Sequence, residues 1–278
     1  MLNVILFILI LTVIIAFILV DNPLTKFRRR HLKHKFFPQY WSFVLEKNIP
    51  LYKGLSEGLK KQLQGHIHVF LAEKQFIGCR GLQITDEVRL TIAGQACLLL
   101  LNKRSNYYPK LYSILVYPSV FIGKKVTALS GHYLEETQAR SGESSGKSGL
   151  IVLSWDHVKH DTLNWQDGHN VVLHEFAHQL DQEEGRAEGV PLLPQKSDYI
   201  TWAQVFGEAY QHLRRKAERG SNTVIHEYGA TDPAEFFAVA TETFFEQPVQ
   251  LKSNYPELYQ QLKRYYQLDP IEWLERGY

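Results

Sequence analysis

The first twenty residues of the chain are almost entirely apolar. Residues 1–20 contain only two polar side chains, Asn3 and Thr12, and no charged one. A run of this length and character can span the hydrocarbon core of a bilayer. It lacks the positive n-region and the small-residue cleavage site of a secretory signal peptide. The pattern therefore predicts one uncleaved transmembrane helix over residues 1–20.

A basic juxtamembrane segment, residues 21–35, follows this apolar run. It holds six Lys and Arg side chains, and the other end of the apolar run offers no competing charge. Positively charged flanks stay on the cytoplasmic side of a membrane, so we expect a single-pass membrane protein with its body in the cytoplasm. The same charges would be attracted to anionic lipid headgroups.

The body of the chain changes from helical to β-rich patterning and back. Apolar positions recur at helical spacing in residues 41–45, 59–76 and 88–101, and Thr85 is a good N-cap for the last of these helices. Two β-rich runs follow, at residues 112–121 and 149–155, and the polar, Gly- and Ser-rich residues 140–149 between them predict a flexible loop.

After Trp155 the pattern predicts helices again, near residues 170–181, 197–219 and 233–246, with one or two more before the C-terminus. These elements indicate an α+β body over residues 36–278. We divide it into a helical part, residues 36–110, and a second part with strands and helices, residues 111–278. A body of about 240 residues can bury a sizeable core.

Charge and cysteine content exclude several classes of function. The net charge is +2, but without residues 1–35 the chain has 25 basic and 28 acidic residues, a net charge of −3. Nothing in the body therefore indicates nucleic-acid binding. The two cysteines, Cys79 and Cys97, form no C-x-x-C pair, which argues against a disulfide framework or a thiolate zinc site and fits a reducing compartment.

The segment VVLHEFAHQLD contains an H-E-x-x-H motif. His174 and His178 are four residues apart, so both imidazoles lie on one face of a helix and can bind one zinc ion. Glu175 can then reach a water molecule at the open coordination position. The alternative is a pair of core histidines with other partners, but a buried glutamate and two buried histidines on one apolar helix favour the metal site.

The third ligand is not given by this segment. An extended H-E-x-x-H-x-x-G-x-x-H motif would need glycine at 181 and histidine at 184, where this chain has Asp181 and Glu184. Further along, Asp232 and Pro233 predict the start of an amphipathic helix that carries Glu235.

Glu235 is our preferred third ligand, although its spacing from Asp232 also fits a capping box. Glu242 and Asp181 are alternative ligands, and we rather expect them to orient the ligating histidines. Tyr228 precedes the helix on a glycine-containing loop that can bring its phenol beside the metal.

HEFAHQLD, followed by YGATDPAEFFAVATETFF, resembles the Mlc titration factor family of zinc peptidases, and the second stretch also resembles the catalytic domain of anthrax lethal factor. The stretches at residues 81–101, 117–121 and 149–158 are similar to the same family, so the resemblance covers most of residues 36–270. It implies a gluzincin-like (zincin-like) fold, Zn2+ held by His174, His178 and Glu235, Glu175 as general base and Tyr228 as a donor to the transition state.

We therefore predict a membrane-anchored zinc metallopeptidase that hydrolyses peptide or protein substrates. The strand at residues 150–154 is a candidate edge strand for an extended peptide. The alternative is a membrane-tethered binding protein that sequesters a transcriptional regulator and has a structural or vestigial zinc site. A regulator as partner is implied by the family resemblance only.

Overall fold

The computed structural model describes residues 23–102, 106–119, 121–129, 132–140, 142–145, 149–183, 185 and 187–274. Its N-terminal part is helical, as the apolar spacing predicts. The helices are α1 (Pro23–Lys33), α2 (Gln39–Asn48), α3 (Leu51–Gly54), α4 (Glu57–Glu73) and α5 (Asp86–Leu98). The predicted cap of α5 is confirmed, because the Thr85 hydroxyl accepts a hydrogen bond from the Val88 N–H.

A four-stranded sheet follows from the β-rich runs, with the order β1, β2, β6, β5. Its strands are β1 (Gln75–Gly78), β2 (Ser113–Tyr117), β5 (Gly142–Ser145) and β6 (Leu150–Ser154). The first three in this order are parallel, and β5 pairs antiparallel with β6. A separate antiparallel hairpin joins β3 (Phe121–Leu129) and β4 (His132–Arg140).

Three details of the sheet correct the predictions from sequence. The helix predicted over residues 59–76 ends at Glu73, and Phe76 lies in β1. Part of the polar segment 140–149 is strand β5 and not loop, because backbone pairing with β6 does not require apolar side chains. That pairing also makes β5 an edge strand and places β6 inside the sheet, so the prediction that residues 150–154 form an edge is wrong.

The chain is helical again after the sheet. The elements are α6 (Trp155–Leu163), α7 (Val171–Asp181), α8 (Asp198–Glu218), a 3-10 turn (Glu227–Ala230), α9 (Pro233–Glu246), α10 (Pro248–Asn254), α11 (Pro256–Tyr266) and α12 (Ile271–Leu274). The three predicted helices correspond to α7, α8 and α9. Together with the small, mostly parallel sheet, they confirm an α-rich α+β fold.

Helix α7 is held from both sides by buried aromatic rings. Phe176 packs against Phe70 of α4 and Tyr108, with ring centroids 5.7 and 4.9 Å apart. On its other side α7 contacts α9, in which Phe236, Phe237, Phe244 and Phe245 are buried. Aromatic side chains bury large areas and pack in defined geometries. Helix α7 therefore has a fixed position against the helices and the sheet.

The predicted localisation, a single-pass membrane protein with its catalytic domain in the cytoplasm, is corrected by the structure. The described part of the chain contains no helix that is both long enough and apolar enough to cross a bilayer. Its longest helix, α8, is continuous but carries six charged side chains: Asp198, Glu208, Arg214, Arg215, Lys216 and Glu218. The transmembrane helix predicted over residues 1–20 lies outside the described residues.

Much of the predicted basic juxtamembrane segment is helix α1, and it packs against the body. The Arg29 guanidinium donates two hydrogen bonds to the Glu73 carboxylate, at 2.9 Å each, and Arg28 donates a third at 3.0 Å. Paired guanidinium and carboxylate groups of this kind give a geometrically specific contact. Part of the positive charge of α1 is thereby used within the protein.

Candidate metal centre

Helix α7 presents the H-E-x-x-H motif as the sequence predicts. Asn170 is its N-cap, and the Asn170 Oδ1 atom accepts a hydrogen bond of 3.0 Å from the Leu173 N–H. His174 and His178 are one turn apart, and their Nε2 atoms lie 3.1 Å from each other. Both imidazoles therefore direct the same nitrogen to one point.

Glu235 of α9 completes the cluster. Its Oε2 atom lies 3.0 Å from Nε2 of His174 and 3.3 Å from Nε2 of His178. The helix start is capped by Asp232, which accepts hydrogen bonds from the Ala234 and Glu235 N–H groups. The Glu235 carboxylate is thus directed at the histidines, and the capping-box alternative does not describe the position of Glu235.

The three atoms have the separations that one small metal ion requires. Ligand atoms about 2.0–2.1 Å from a tetrahedral ion are about 3.3 Å apart, close to the 3.0, 3.1 and 3.3 Å found here. Two imidazole nitrogens and a carboxylate oxygen are also ligands that zinc accepts. Among the described residues, this His/His/Glu group is the one His, Cys, Asp and Glu cluster compact enough to hold a metal ion.

Glu242 lies behind His174, on the side away from the cluster. Its Oε1 atom is 2.7 Å from Nδ1 of His174. Burial opposes the charged imidazolium, but the Glu242 and Glu235 carboxylates outweigh burial and hold the pKa of His174 well above its usual value. The same histidines outweigh the burial of Glu235 and hold its pKa well below the usual range.

Glu175 is buried beside the cluster, and its Oε2 atom has no hydrogen-bond partner among the described residues. Burial raises the pKa of Glu175 to about 7, although the charges of His174 and His178 oppose this shift. A carboxyl group with a pKa near 7 suits proton transfer at neutral pH.

Tyr228 lies in the 3-10 turn that precedes α9. Its ring centroid is 6.0 Å from that of His174, and its hydroxyl group lies close enough to the Glu235 carboxylate to be affected by its negative charge. Burial, followed by the negative charge of Glu235, raises the pKa of Tyr228 to about 12. The hydroxyl group therefore keeps its proton at neutral pH and can donate it in a hydrogen bond beside the cluster.

In the described part of the chain the Asp181 carboxylate hydrogen-bonds a loop and not the histidines, contrary to its expected role in orienting them. Its carboxylate accepts hydrogen bonds of 2.8 Å from the Gly189 and Val190 N–H groups. Gly189 has a φ of +75°, and a Cβ atom there would lie 2.2 Å from the Pro233 carbonyl oxygen. Asp181 thus fixes a loop that passes very close to the start of α9.

This loop forms one wall of a cavity of about 440 Å³. Residues 187–188 line one side, the start of α9 lines the other, and His178 and Glu235 also contribute to its surface. The cavity therefore opens directly beside two of the three candidate ligands.

The prediction from sequence missed two buried carboxyl groups near the start of α7. Asp161 accepts a hydrogen bond from the Val171 N–H, and Glu246 accepts hydrogen bonds from Gly168 and Asn170. The signal for Glu246 was present, because it follows Glu242 by four residues and so shares its helix face. Asp161 lies in a polar stretch, HVKHDTLNW, whose pattern gives no such signal.

Comparison with known proteins identifies the family. The model of the glucose-regulated metallo-peptidase M90 family matches residues 24–267. An uncharacterized protein of Synechocystis is 46% identical over 245 residues, which cover 88% of this chain and 89% of the relative. Mlc titration factor A of Escherichia coli is 30% identical, with coverage of 83% and 87%. The same factor of Pectobacterium atrosepticum is also 30% identical, with coverage of 85% and 89%. The chain belongs to the Mlc titration factor family, the glucose-regulated metallo-peptidases M90.

Proposed function

We propose that this protein is a zinc-dependent peptidase. The observation that carries the proposal is the convergence of His174, His178 and Glu235 on one point, with the buried carboxyl group of Glu175 beside it. A purely structural zinc site would gain nothing from an acid–base group next to an open coordination position. Family membership supports the metallopeptidase-like fold, and the choice of zinc follows from the nitrogen and oxygen ligands.

His174, His178 and Glu235 would hold the ion, and Glu242 would fix the ring of His174. By accepting the Nδ1–H of His174, Glu242 leaves the Nε2 lone pair free for the metal. When bound, zinc would supply Lewis-acid chemistry, which polarises a peptide carbonyl and makes a water molecule more acidic.

Glu175 would act as the general base. It takes a proton from the attacking water as the oxygen adds to the peptide carbonyl carbon, and it then gives that proton to the departing amine nitrogen. The C–N bond breaks, and Glu175 returns to its starting charge. Tyr228 would donate a hydrogen bond to the former carbonyl oxygen, on which negative charge grows as the carbon becomes tetrahedral.

The substrate would be a peptide in an extended conformation. Strand β5 is one of the two edge strands of the sheet and contacts α7, so a peptide can add to it through main-chain hydrogen bonds. The cavity of about 440 Å³ beside His178 can take a substrate side chain.

Glu175→Gln tests this proposal. The variant should bind as much zinc as the wild type, since Glu175 is not a ligand, and it should lose hydrolysis of a peptide library by about 100-fold to 10,000-fold. Glu208→Gln, at an exposed glutamate of α8, is the control and should cleave normally. Full activity of Glu175→Gln would refute the mechanism.

A second candidate is a binding protein for a transcriptional regulator, favoured by the name Mlc titration factor A of several relatives. In that case the wild type would show no hydrolysis with zinc bound, yet it would capture a regulator. Glu175→Gln would then capture it equally well. The two proposed functions therefore differ in their need for Glu175: the peptidase requires it for hydrolysis, whereas the binding protein does not require it for capture.

A further inference from the structure

Three glutamates of α9, Glu235, Glu242 and Glu246, lie along one face of the helix. Their spacings of seven and four residues return each to nearly the same angle about the axis. They contact successive, overlapping levels of α7 and its preceding turn: Glu235 lies beside His178, Glu242 beside His174, and Glu246 at the other end, beside Asn170. The two helices therefore run antiparallel and are joined by carboxyl groups at three levels.

Glu246 makes the last of these connections with both oxygens. Its Oε1 atom accepts a 3.0 Å hydrogen bond from the Asn170 side-chain amide, and its Oε2 atom accepts one of 3.1 Å from the Gly168 N–H. Glu246 and Asn170 are 3% and 0% exposed. The amide held by Glu246 belongs to the residue whose Oδ1 atom caps α7.

Capping of α7 alone does not require Glu246. The helix start is already supplied with acceptors, because Asn170 accepts from Leu173, Asp161 from Val171, and Glu242 from the Asn170 N–H. A third buried carboxyl group among these acids is unfavourable when charged, and burial raises the pKa of Glu246 to about 9. Capping of α7 therefore does not explain why Glu246 makes these contacts, and we look for a further role.

We propose that Glu246 is a positioning residue for the metal centre: it fixes α9 against α7 and thereby sets the separation of Glu235 from His174 and His178. Helices rise about 1.5 Å per residue, whereas metal–ligand distances tolerate errors of about 0.2 Å. A slip of α9 by even a fraction of one residue would therefore spoil the site. The inference rests on the metal site of the proposed function and not on peptidase activity.

The test measures metal affinity in the full-length chain. Glu246→Gln keeps the size of the side chain, but its amide nitrogen cannot accept one of the two hydrogen bonds. We expect the Kd for Zn2+, measured by competition with a chelator, to rise by about 10-fold or more. The visible absorption of bound Co2+ should change as well, because it reports the geometry of the ligands.

Asp269→Asn is the control for general loss of stability. Asp269 accepts hydrogen bonds from Tyr259 and Ile271 and pairs with Lys263, in α11 and α12. This variant should lose thermal stability and keep the wild-type Zn2+ affinity. All affinities are compared at a temperature where circular dichroism shows each variant folded.

A double variant tests whether the hydrogen bond itself matters. In Asn170→Asp/Glu246→Gln the donor and acceptor are exchanged, since the new amide can donate to the new carboxylate, which still caps α7. We expect Zn2+ affinity to return to within about threefold of the wild type, a threshold set well below the 10-fold loss. If Glu246→Gln does not fold, Asn170→Ser replaces it, because serine keeps the cap and removes only the amide.

Several results would overturn the inference. Unchanged Zn2+ affinity and an unchanged Co2+ spectrum in folded Glu246→Gln or Asn170→Ser would show that Glu246 serves stability alone. An equal loss of affinity in Asp269→Asn would show the same. A wild type that binds no metal would refute it outright, whereas a wild type that binds zinc without cleaving peptides would refute only the proposed function.

Discussion

The Nδ1 atom of His174 lies 2.7 Å from Oε1 of Glu242, on the opposite side of the ring from the Nε2 atom that faces Glu235. A carboxylate in this position accepts the Nδ1–H and so selects the imidazole tautomer that can bind a metal through Nε2. The two glutamates of α9 thus have separable tasks at one histidine.

Replacing each glutamate by glutamine should distinguish these tasks. Glu235→Gln should nearly empty the site, because a neutral amide is a poor replacement for a ligating carboxylate. Glu242→Gln should weaken zinc by about 10-fold to 100-fold, because it loosens the orientation of His174 only. Metal content after dialysis and titration against a chelator measure both effects. The assignment is wrong if the order of the two variants is reversed.

Tyr228→Phe should act on the reaction rate. The variant keeps the ring, which is half exposed, and removes only the hydroxyl group. We expect kcat to fall by about 10-fold to 1000-fold with KM and thermal midpoint little changed. Steady-state kinetics and a zinc assay provide the measurements. A large loss of zinc with an unchanged rate for the loaded enzyme would instead assign the hydroxyl to supporting Glu235, whose negative charge acts on it.

Glu246 should make the metal-free protein less stable as the pH rises. Its pKa is about 9 in the folded protein, against an ordinary value of 4.5, owing to burial and to the charges of Glu242, Asp167 and Asp161. The folded state therefore holds a proton that the unfolded state releases above pH 4.5, and this favourable contribution is lost as the pH approaches 9.

Between pH 4.5 and 9, the free energy of unfolding can fall by about 1.4 kcal/mol per pH unit through this one group. Urea unfolding in EDTA from pH 5 to 9 measures it. Glu246→Gln, which cannot ionise, should show a flatter dependence, and Glu208→Gln should keep the wild-type slope. Parallel curves for Glu246→Gln and the wild type would contradict the assignment.

Gly189→Ala should destabilise the cavity wall. The new methyl group would meet the Pro233 carbonyl oxygen, and alanine is strained at a φ of +75°. We expect a loss of about 2–4 kcal/mol in the free energy of unfolding, with a raised KM because the cavity changes shape.

Gly220→Ala is the matched control for this variant. Gly220 also has a positive φ, of +61°, but nothing lies within 4 Å of its added Cβ atom. Gly220→Ala should lower the free energy of unfolding by only about 1 kcal/mol, which is the strain of alanine in this backbone conformation. Equal losses in the two variants would mean that the contact with Pro233 is unimportant.

Local patterns predicted the helices of the site well. The cap at Asn170, the H-E-x-x-H spacing, and the Asp232–Pro233 start of α9 are all set by neighbours in sequence, so α7 and α9 were found with nearly correct bounds. The positions of Glu235 and Glu242 on one face followed from helical periodicity. The geometry of Glu235 then agrees with the expected cluster.

Relations between distant segments could not be predicted in the same way. Strand β5 is polar and pairs through its backbone, so the edge of the sheet was assigned to the wrong strand. Asp181 contacts Gly189 through a loop whose path the sequence does not reveal. Asp161 and Glu246 meet at α7 only after three helices have packed together.

If the cluster of His174, His178 and Glu235 holds zinc as we propose, the antiparallel packing of α7 and α9 also makes the stability of the folded protein depend on the zinc supply. His178 and Glu235 are 57 residues apart in the chain, so an unfolded chain offers no comparable site. A ligand that binds only the folded state adds stability that grows with its free concentration, about 2.7 kcal/mol at one hundred times its Kd. Zinc scarcity would therefore shift the protein toward unfolding and proteolysis, and its abundance in a cell would follow the free zinc concentration even at a constant rate of synthesis.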